Sequence, residues 1–320
     1  MDASSASRSA TSPGDGVGRN ASTALSRGSM RGSSAIGVTG CSSGRMAGGR
    51  RIGETQHMDL GLQGARVVVT GASDGIGAAT ARVFAGEGTA VGLIARRSDR
   101  LHAVAEECRA LGAPTAVVAV ADLRDPAALT AAFDACTDGL GAVDVLVNNA
   151  GDSKLGTVEQ LDDAAWQESF DLKLMGYVRG MRHVLPGMRA RGAGCIVNVL
   201  GTAGTQPSGG YVLSCFVTAL AQLTASVADE VASDGVRVVG LGPGYTRTER
   251  VMGTVRRLAA EAGRDVEEFT ADFGRAMVPI GRLATPEEMG RLVAVLASDT
   301  VAGFVTGTQW IADGGSTRAV

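Results

Sequence analysis

The chain has few of the residues that build covalent or metal-stabilised frameworks. Its 320 residues hold five cysteines, Cys41, Cys108, Cys136, Cys195 and Cys215, scattered and without a CxxC pair. Disulfide frameworks and zinc sites need paired or closely spaced ligands, so these thiols are expected to be reduced, as in a cytoplasmic protein. The three histidines, His57, His102 and His183, stand apart from other candidate ligands, and no metal site is expected. No run approaches the ~20 consecutive apolar residues of a membrane-spanning helix, so no membrane span is expected. Lysine is almost missing: Lys154 and Lys173 are the only two, against 28 arginines.

Large apolar residues are also scarce at the start of the chain. Residues 1–57 contain 12 Ser, 11 Gly and seven Arg against Asp2, Asp15 and Glu54. Such a segment cannot bury enough surface to offset its chain entropy and is expected to be a disordered extension. Ser- and Arg-rich, acid-poor composition also describes an organelle transit peptide. A dispensable extension or misplaced start is favoured, because Met58 stands directly before the first orderly segment, Asp59–Gly64. Thr39-Gly-Cys-Ser-Ser-Gly44 imitates a phosphate loop, but no apolar strand precedes it. Residues 58–320 are then expected to form a single domain. The whole chain carries −3 while residues 1–57 carry +4, so this body is acidic, which argues against nucleic acid or an anionic membrane as partner.

From residue 65, short apolar runs alternate with longer amphipathic ones. Strands are expected at 66–70, 90–95, 115–120, 143–147, 195–199, 236–241 and 308–311. Helices are expected over about 77–86, 98–111, 126–137, 162–191 and 211–233. The run Arg66-Val-Val-Val-Thr70 is β-branched throughout, as in a strand buried on both faces. About seven strands alternating with helices call for an α/β fold, a doubly wound parallel sheet with helices on both faces.

Sheets of this kind bind ligands beyond the carboxyl ends of their strands, where the strand order switches. At the first such end the chain reads Thr70-Gly-Ala-Ser-Asp-Gly-Ile-Gly77. Gly71, Gly75 and Gly77 allow a tight turn and close approach to a pyrophosphate, and the following helix aims N–H groups at the anion. Further along stand Asp122-Leu123, Asn148-Asn-Ala-Gly151, Pro243-Gly244, Thr306-Gly307 and Asp313-Gly-Gly315. With these motifs in this order, the chain resembles a short-chain dehydrogenase/reductase from about residue 60 to its end. The resemblance implies a Rossmann fold and a nicotinamide dinucleotide cofactor. It places Gly71, Ser73, Asp74, Gly75, Ile76 and Gly77 at the phosphates and Asp122 and Leu123 at the adenine. Asn149, Ala150 and Gly151 would line the adenosine side, and the segment from Pro243 and Gly244 to residue 248 would close over the nicotinamide, with Thr248 near its carboxamide or the phosphates. It also implies a homo-oligomer, dimer or tetramer, built through the long middle helices.

The end of the second strand decides which dinucleotide is bound. An acid there would hold the ribose 2′-hydroxyl, and an Arg would accept a 2′-phosphate. The chain has Ala95 followed by Arg96 and Arg97. A guanidinium fork matches phosphate geometry, so NADP(H) is favoured over NAD(H), with Arg96 as the contact. Asp74 within the glycine loop works against the extra charge.

The catalytic pattern implied by the resemblance is broken. A Tyr general acid stands at Tyr211, but the Lys expected four residues later is Cys215. Gly201 takes the place of the carbonyl-polarising Ser, and Lys173 that of an Asn on the middle helix. A free phenol has a pKa of about 10, and catalysis near neutrality needs a cation beside it. Lys173 is expected to reach the space vacated at Cys215 and supply that cation to Tyr211. Tyr177 shares its helix face but is expected to pack in the core, and Cys215 is expected to be a buried thiol. Residues 247–279 occupy the place of a substrate lid, with Val251, Met252, Val255, Leu258, Phe269, Phe273 and Met277 giving apolar faces to two helical stretches. The expected activity is hydride transfer between NADP(H) and a ketone or alcohol of an apolar or cyclic small molecule. The alternative is a relative that binds dinucleotide but has lost redox chemistry.

Overall fold

Seven short apolar runs form one sheet, and the amphipathic runs between them form the helices that cover it. The computed structural model describes residues 58–152, 156–205 and 214–318. The expected disordered extension over 1–57 lies outside the described residues, as does Tyr211. Strands β1 (Arg66–Thr70), β2 (Ala90–Ala95), β3 (Ala116–Val120), β4 (Val145–Asn148), β5 (Gly194–Val199), β6 (Val236–Pro243) and β7 (Gln309–Ala312) all pair in parallel. Their order is β3-β2-β1-β4-β5-β6-β7, the doubly wound sheet that the alternating pattern calls for. The order switches direction between β1 and β4, which opens a crevice at their carboxyl ends.

Successive side chains of a strand point to opposite faces, and the core divides accordingly. Val67 and Val69 pack with Phe84, Leu101 and Val293 on one side, while Val68 packs with Phe133, Met181 and Ile196 on the other. Helices α1 (Gly75–Gly86) and α2 (Ser98–Leu111) supply the first layer, α3 (Pro126–Leu140) the second. Asp125 caps α3, accepting from the N–H groups of Ala127 and Ala128, and Pro126 occupies the first helical position, where its missing N–H costs nothing.

The middle of the chain departs from the expected single helix. It comprises α4 (Asp163–Ser169), a π-helical turn (Phe170–Met175) and α5 (Gly176–Arg191). In the wide turn the N–H of Gly176 reaches back five residues to the carbonyl of Asp171. Arg179 then donates to that same carbonyl at 3.4 Å and to the Leu123 carbonyl at 3.1 Å, tying the turn to the end of β3. Such π turns re-aim side chains and recur at functional sites.

Helix α6 (Ser214–Val231) buries Val217, Leu220, Thr224, Ala228 and Val231. With the turn that follows it, Ser214–Asp234 is long and apolar enough by composition to cross a membrane, yet that buried stripe packs on the sheet beside β6. Helices α7 (Glu249–Glu261) and α8 (Val266–Met277) confirm the two helical stretches of the 247–279 segment. The sequence reading missed α9 (Pro286–Ala297), although its start is well marked. Thr285 accepts from the Glu288 N–H while Glu288 accepts from the Thr285 N–H, a complete capping box, with Pro286 at the first helical position.

Candidate active site

The crevice is built first by the turn that leaves β1. A β-carbon on Gly77 would lie 2.3 Å from the Gly71 carbonyl oxygen and 2.4 Å from Asn149 Nδ2, so no side chain fits there. Gly71 and Gly75 have φ of +69° and +53°, open to glycine at no steric cost. Asp74 Oδ1 accepts from the Gly75 N–H at 2.7 Å. The next two N–H groups of α1, of Ile76 and Gly77, have no acceptor among the described residues. An uncovered helix N-terminus behind a side-chain-free turn fits a pyrophosphate. Thr248, which precedes α7, closes the far side: a β-carbon on Gly75 would lie 3.0 Å from its Cγ2.

Asn149 proves to be a brace for this turn. Its Nδ2 donates to the Thr70 carbonyl at 3.0 Å and its N–H donates to Thr70 Oγ1 at 3.0 Å, while the Ala150 N–H reaches the same hydroxyl at 3.2 Å. Thr70, singled out before only as the start of the motif, thereby locks the end of β1 to the end of β4.

Beyond the end of β3, Asp122 is gripped by Arg124, whose Nη2 lies 2.6 Å from Oδ2 and whose Nε lies 3.0 Å from Oδ1. These hydrogen bonds hold the Asp122 carboxyl below its ordinary pKa despite partial burial. Arg96 turns the same way, with Nη1 3.9 Å from Asp122 Oδ2. Leu123 is buried beside it. Two other arginines reach the glycine loop: Arg97 Nη2 and Arg100 Nη1 lie 3.1 and 2.9 Å from Asp74 Oδ2, and Arg97 also donates to Ser73 Oγ at 3.4 Å. Arg100 was not anticipated. Its place three residues after Arg97 at the start of α2 puts both on one helix face, which was the signal available.

The chemistry-bearing end lies over the carboxyl ends of β4 and β5. Lys173, aimed inward by the π turn, donates to Tyr177 Oη at 2.9 Å and to the Val199 carbonyl at 2.9 Å. Tyr177 is fully buried and donates to that carbonyl at 2.7 Å. Lys173 also presses on the Asn-Ala-Gly turn: a β-carbon on Gly151 would lie 2.7 Å from its Cδ and 3.0 Å from its Nζ. Burial pulls the Lys173 ammonium down to a pKa of about 7, and the nearby Arg250 guanidinium adds to the shift. Burial pushes the Tyr177 phenol well above its usual value, so it stays protonated.

One expectation changes here. Cys215 is exposed at the start of α6, not buried, because α6 turns its Val217 and Leu220 stripe inward and leaves residue 215 outside. Lys173 anchors on Tyr177 and Val199. Gly201, in the place of the absent Ser, has φ of +102°, and its carbonyl accepts from Gln309 Nε2 at 3.0 Å. A φ of +102° is one that L side chains rarely adopt, so the backbone here favours glycine over a Ser. Pro243 ends β6, and the Gly244 N–H donates to the Ala312 carbonyl at 3.0 Å.

A side-chain-free turn and helix N-terminus at the switch point of a parallel sheet are where open α/β folds bind dinucleotides. The chain matches the short chain dehydrogenase family over residues 65–258 and belongs to that family. It is 39% identical over 245 residues to a putative ketoacyl reductase of the monensin polyketide synthase from Streptomyces virginiae, covering 75% of this chain and 92% of that one. It is 40% identical over 258 residues to cis-4-hydroxycyclohexanecarboxylate dehydrogenase of Sinomonas cyclohexanicum, covering 78% and 95%. The L-sorbose reductase of Gluconobacter frateurii, solved with NADPH and L-sorbose, superposes with a TM-score of 0.79 at 32% identity, covering 82% of this chain and all of that one. The chain is thus an oxidoreductase of this family that binds a nicotinamide dinucleotide.

Proposed function

We propose that the protein is an NADP(H)-dependent oxidoreductase acting on a ketone/alcohol pair of an apolar or cyclic small molecule. The observation that carries this reading is the Lys173 amine, buried against Gly151 and Val199 at the mouth of the crevice. NADP(H) is preferred because Arg96, Arg97 and Arg100 gather at the end of β2, where a 2′-phosphate would be met. The NADPH bound to the sorbose reductase supports the same choice. Gly71–Gly77 would hold the pyrophosphate, Asp122 and Leu123 would flank the adenine, and Thr248 would close over the phosphates.

The bound dinucleotide supplies or accepts the hydride. Tyr211 is the general acid that protonates the developing alkoxide during reduction, and Lys173 is its cationic partner. Burial lowers the Lys173 pKa to about 7, so the cationic form that this duty needs prevails below neutrality. The apolar faces of α7 and α8, with Tyr245 edge-on to Phe273 at 5.5 Å, form the lid that excludes water from the substrate. The cyclic alcohol of the Sinomonas relative and the ketoacyl chain of the Streptomyces relative are both of the proposed class.

The test is turnover of NADPH with a panel of cyclic and aliphatic ketones, in the wild type and in Lys173→Met. Turnover that falls at least about 100-fold in the variant, with NADPH binding kept, is the expected result. NADPH that binds yet is oxidised by no ketone, or a fully active variant, overturns the reading.

A further inference from the structure

Tyr177 was expected to be core packing, yet its hydroxyl carries a polar contact that packing does not require. Its ring joins Leu200, Val217 and Leu220, while the oxygen turns to the Lys173 amine and the Val199 carbonyl. The three form a closed set. Val199 O accepts from both Lys173 and Tyr177, and Tyr177 Oη accepts from Lys173. The ammonium also lies 4.7 Å from the centre of the Tyr177 ring, within range of its electron-rich face. An ammonium has three N–H donors, and this arrangement engages two of them.

We propose that Tyr177 is the positioning residue for Lys173, fixing the amine by its hydroxyl so that the third N–H is held toward the crevice beside Gly151. This rests on the reading of Lys173 as the cation of the reaction. A long lysine stem has several rotamers, and without the two anchors the amine would retreat toward water. Tyr177 itself never exchanges its proton, because its phenol is held protonated by burial. It acts through Lys173 alone.

The surroundings leave few other groups to set the amine's titration. The middle helix presents Tyr177, β5 presents the Val199 carbonyl, and α7 presents Arg250, whose charge opposes the ammonium. Asp152, beyond β4, lies 3.6 Å from Arg250 and offsets part of that charge. Helix α6, packed on the π turn, carries the exposed Cys215 in its first turn. Among the described residues, Tyr177 is thus the sole neutral side chain that stabilises the protonated amine directly.

The experiment uses the scarcity of lysine. With only Lys154 and Lys173 in the chain, protein labelled with 13C,15N-lysine gives two side-chain signals, assigned through Lys154→Arg. The Lys173 signal is expected to titrate near neutrality in the wild type. In Tyr177→Phe, which keeps the ring and its packing, the midpoint is expected to fall by about one pH unit, since a hydrogen bond to the charged form is lost. The pH profile of kcat is expected to move the same way, with the KM for ketone and the affinity for NADPH unchanged. An unmoved midpoint in Tyr177→Phe overturns the proposal, as does a wild-type Lys173 signal titrating at the ordinary lysine value. Failure of the functional reading looks different: Lys173→Met stays active while Tyr177→Phe still moves the Lys173 midpoint. Should Tyr177→Phe fold poorly, the wild type decides alone. A Lys173 NH3+ signal protected from solvent exchange below pH 7 supports the anchoring, and one that exchanges as fast as that of an exposed amine refutes it.

Discussion

Gly151 and Lys173 are packed so closely that a β-carbon on Gly151 would stand 2.7 Å from Lys173 Cδ and 3.0 Å from Nζ. The glycine that closes the Asn-Asn-Ala-Gly turn therefore has a second duty in this chain. It leaves the channel through which the lysine stem reaches the crevice. Gly151→Ala forces the stem aside, while the two hydrogen bonds at its tip resist the move. Turnover is expected to fall at least about tenfold, with a loss of stability of about 1–3 kcal/mol from overpacking. Steady-state kinetics and urea unfolding of the variant measure both, and unchanged turnover would separate Gly151 from the position of the amine.

Much of this site was legible in the sequence, for a physical reason. A strand buried on both faces must be a continuous apolar run, and a turn that meets a pyrophosphate must be free of side chains, so both leave marks on consecutive residues. The shared face of Lys173 and Tyr177 was legible too, because four residues make about one helical turn. What was hidden depends on partners far apart in the chain. The carbonyl of Val199 that holds both side chains has no signature, since every residue has a carbonyl. The π turn at 170–175 contains neither Gly nor Pro to announce it. Cys215 was misplaced because a free thiol is most often buried, whereas its helical neighbours Thr218, Gln222 and Ser226 mark the outward face of α6. The capping box of α9, by contrast, was written in Thr285-Pro-Glu-Glu288 and was overlooked.

Restoring the absent serine is expected to fail. At φ of +102°, Gly201 occupies a conformation that costs a residue with a β-carbon on the order of 1–3 kcal/mol. Gly201→Ser should therefore lower Tm by several degrees without raising turnover. A variant that is both stable and faster would show that the loop after β5 relaxes readily and that the hydroxyl alone was missing.

Asp74 sets a limit on cofactor discrimination. Its Oδ2 is shared by Arg97 and Arg100 at 3.1 and 2.9 Å, so two guanidinium groups beside the proposed 2′-phosphate site are partly neutralised. Asp74→Ser keeps a residue able to cap α1 and releases both arginines. The ratio of kcat/KM for NADPH over NADH is expected to rise about tenfold, the scale of one charge-assisted contact. The gain should shrink in high salt, because these side chains are about half exposed. A ratio that stays level or falls would place the 2′-phosphate elsewhere.

The buried amine should also be visible in stability. In the unfolded chain Lys173 keeps its proton up to about pH 10.4, whereas in the folded protein burial brings its pKa down to about 7. Between these values the unfolded state binds the extra proton, so stability rises with pH by up to about 1.4 kcal/mol per unit. The thiols of Cys108, Cys136 and Cys195 act in the opposite sense at higher pH. Burial pushes them up to about 11, 12 and 12, while unfolded thiols ionise from about pH 8.5. The lysine term therefore stands out between pH 7 and about 8.5, where it is worth about 2 kcal/mol. Urea unfolding across that window is expected to show the wild type gaining about this much relative to Lys173→Met. Parallel curves for the two proteins would mean that Lys173 keeps its ordinary pKa in the folded state, and the amine would then be a permanent cation rather than one that titrates where the enzyme works.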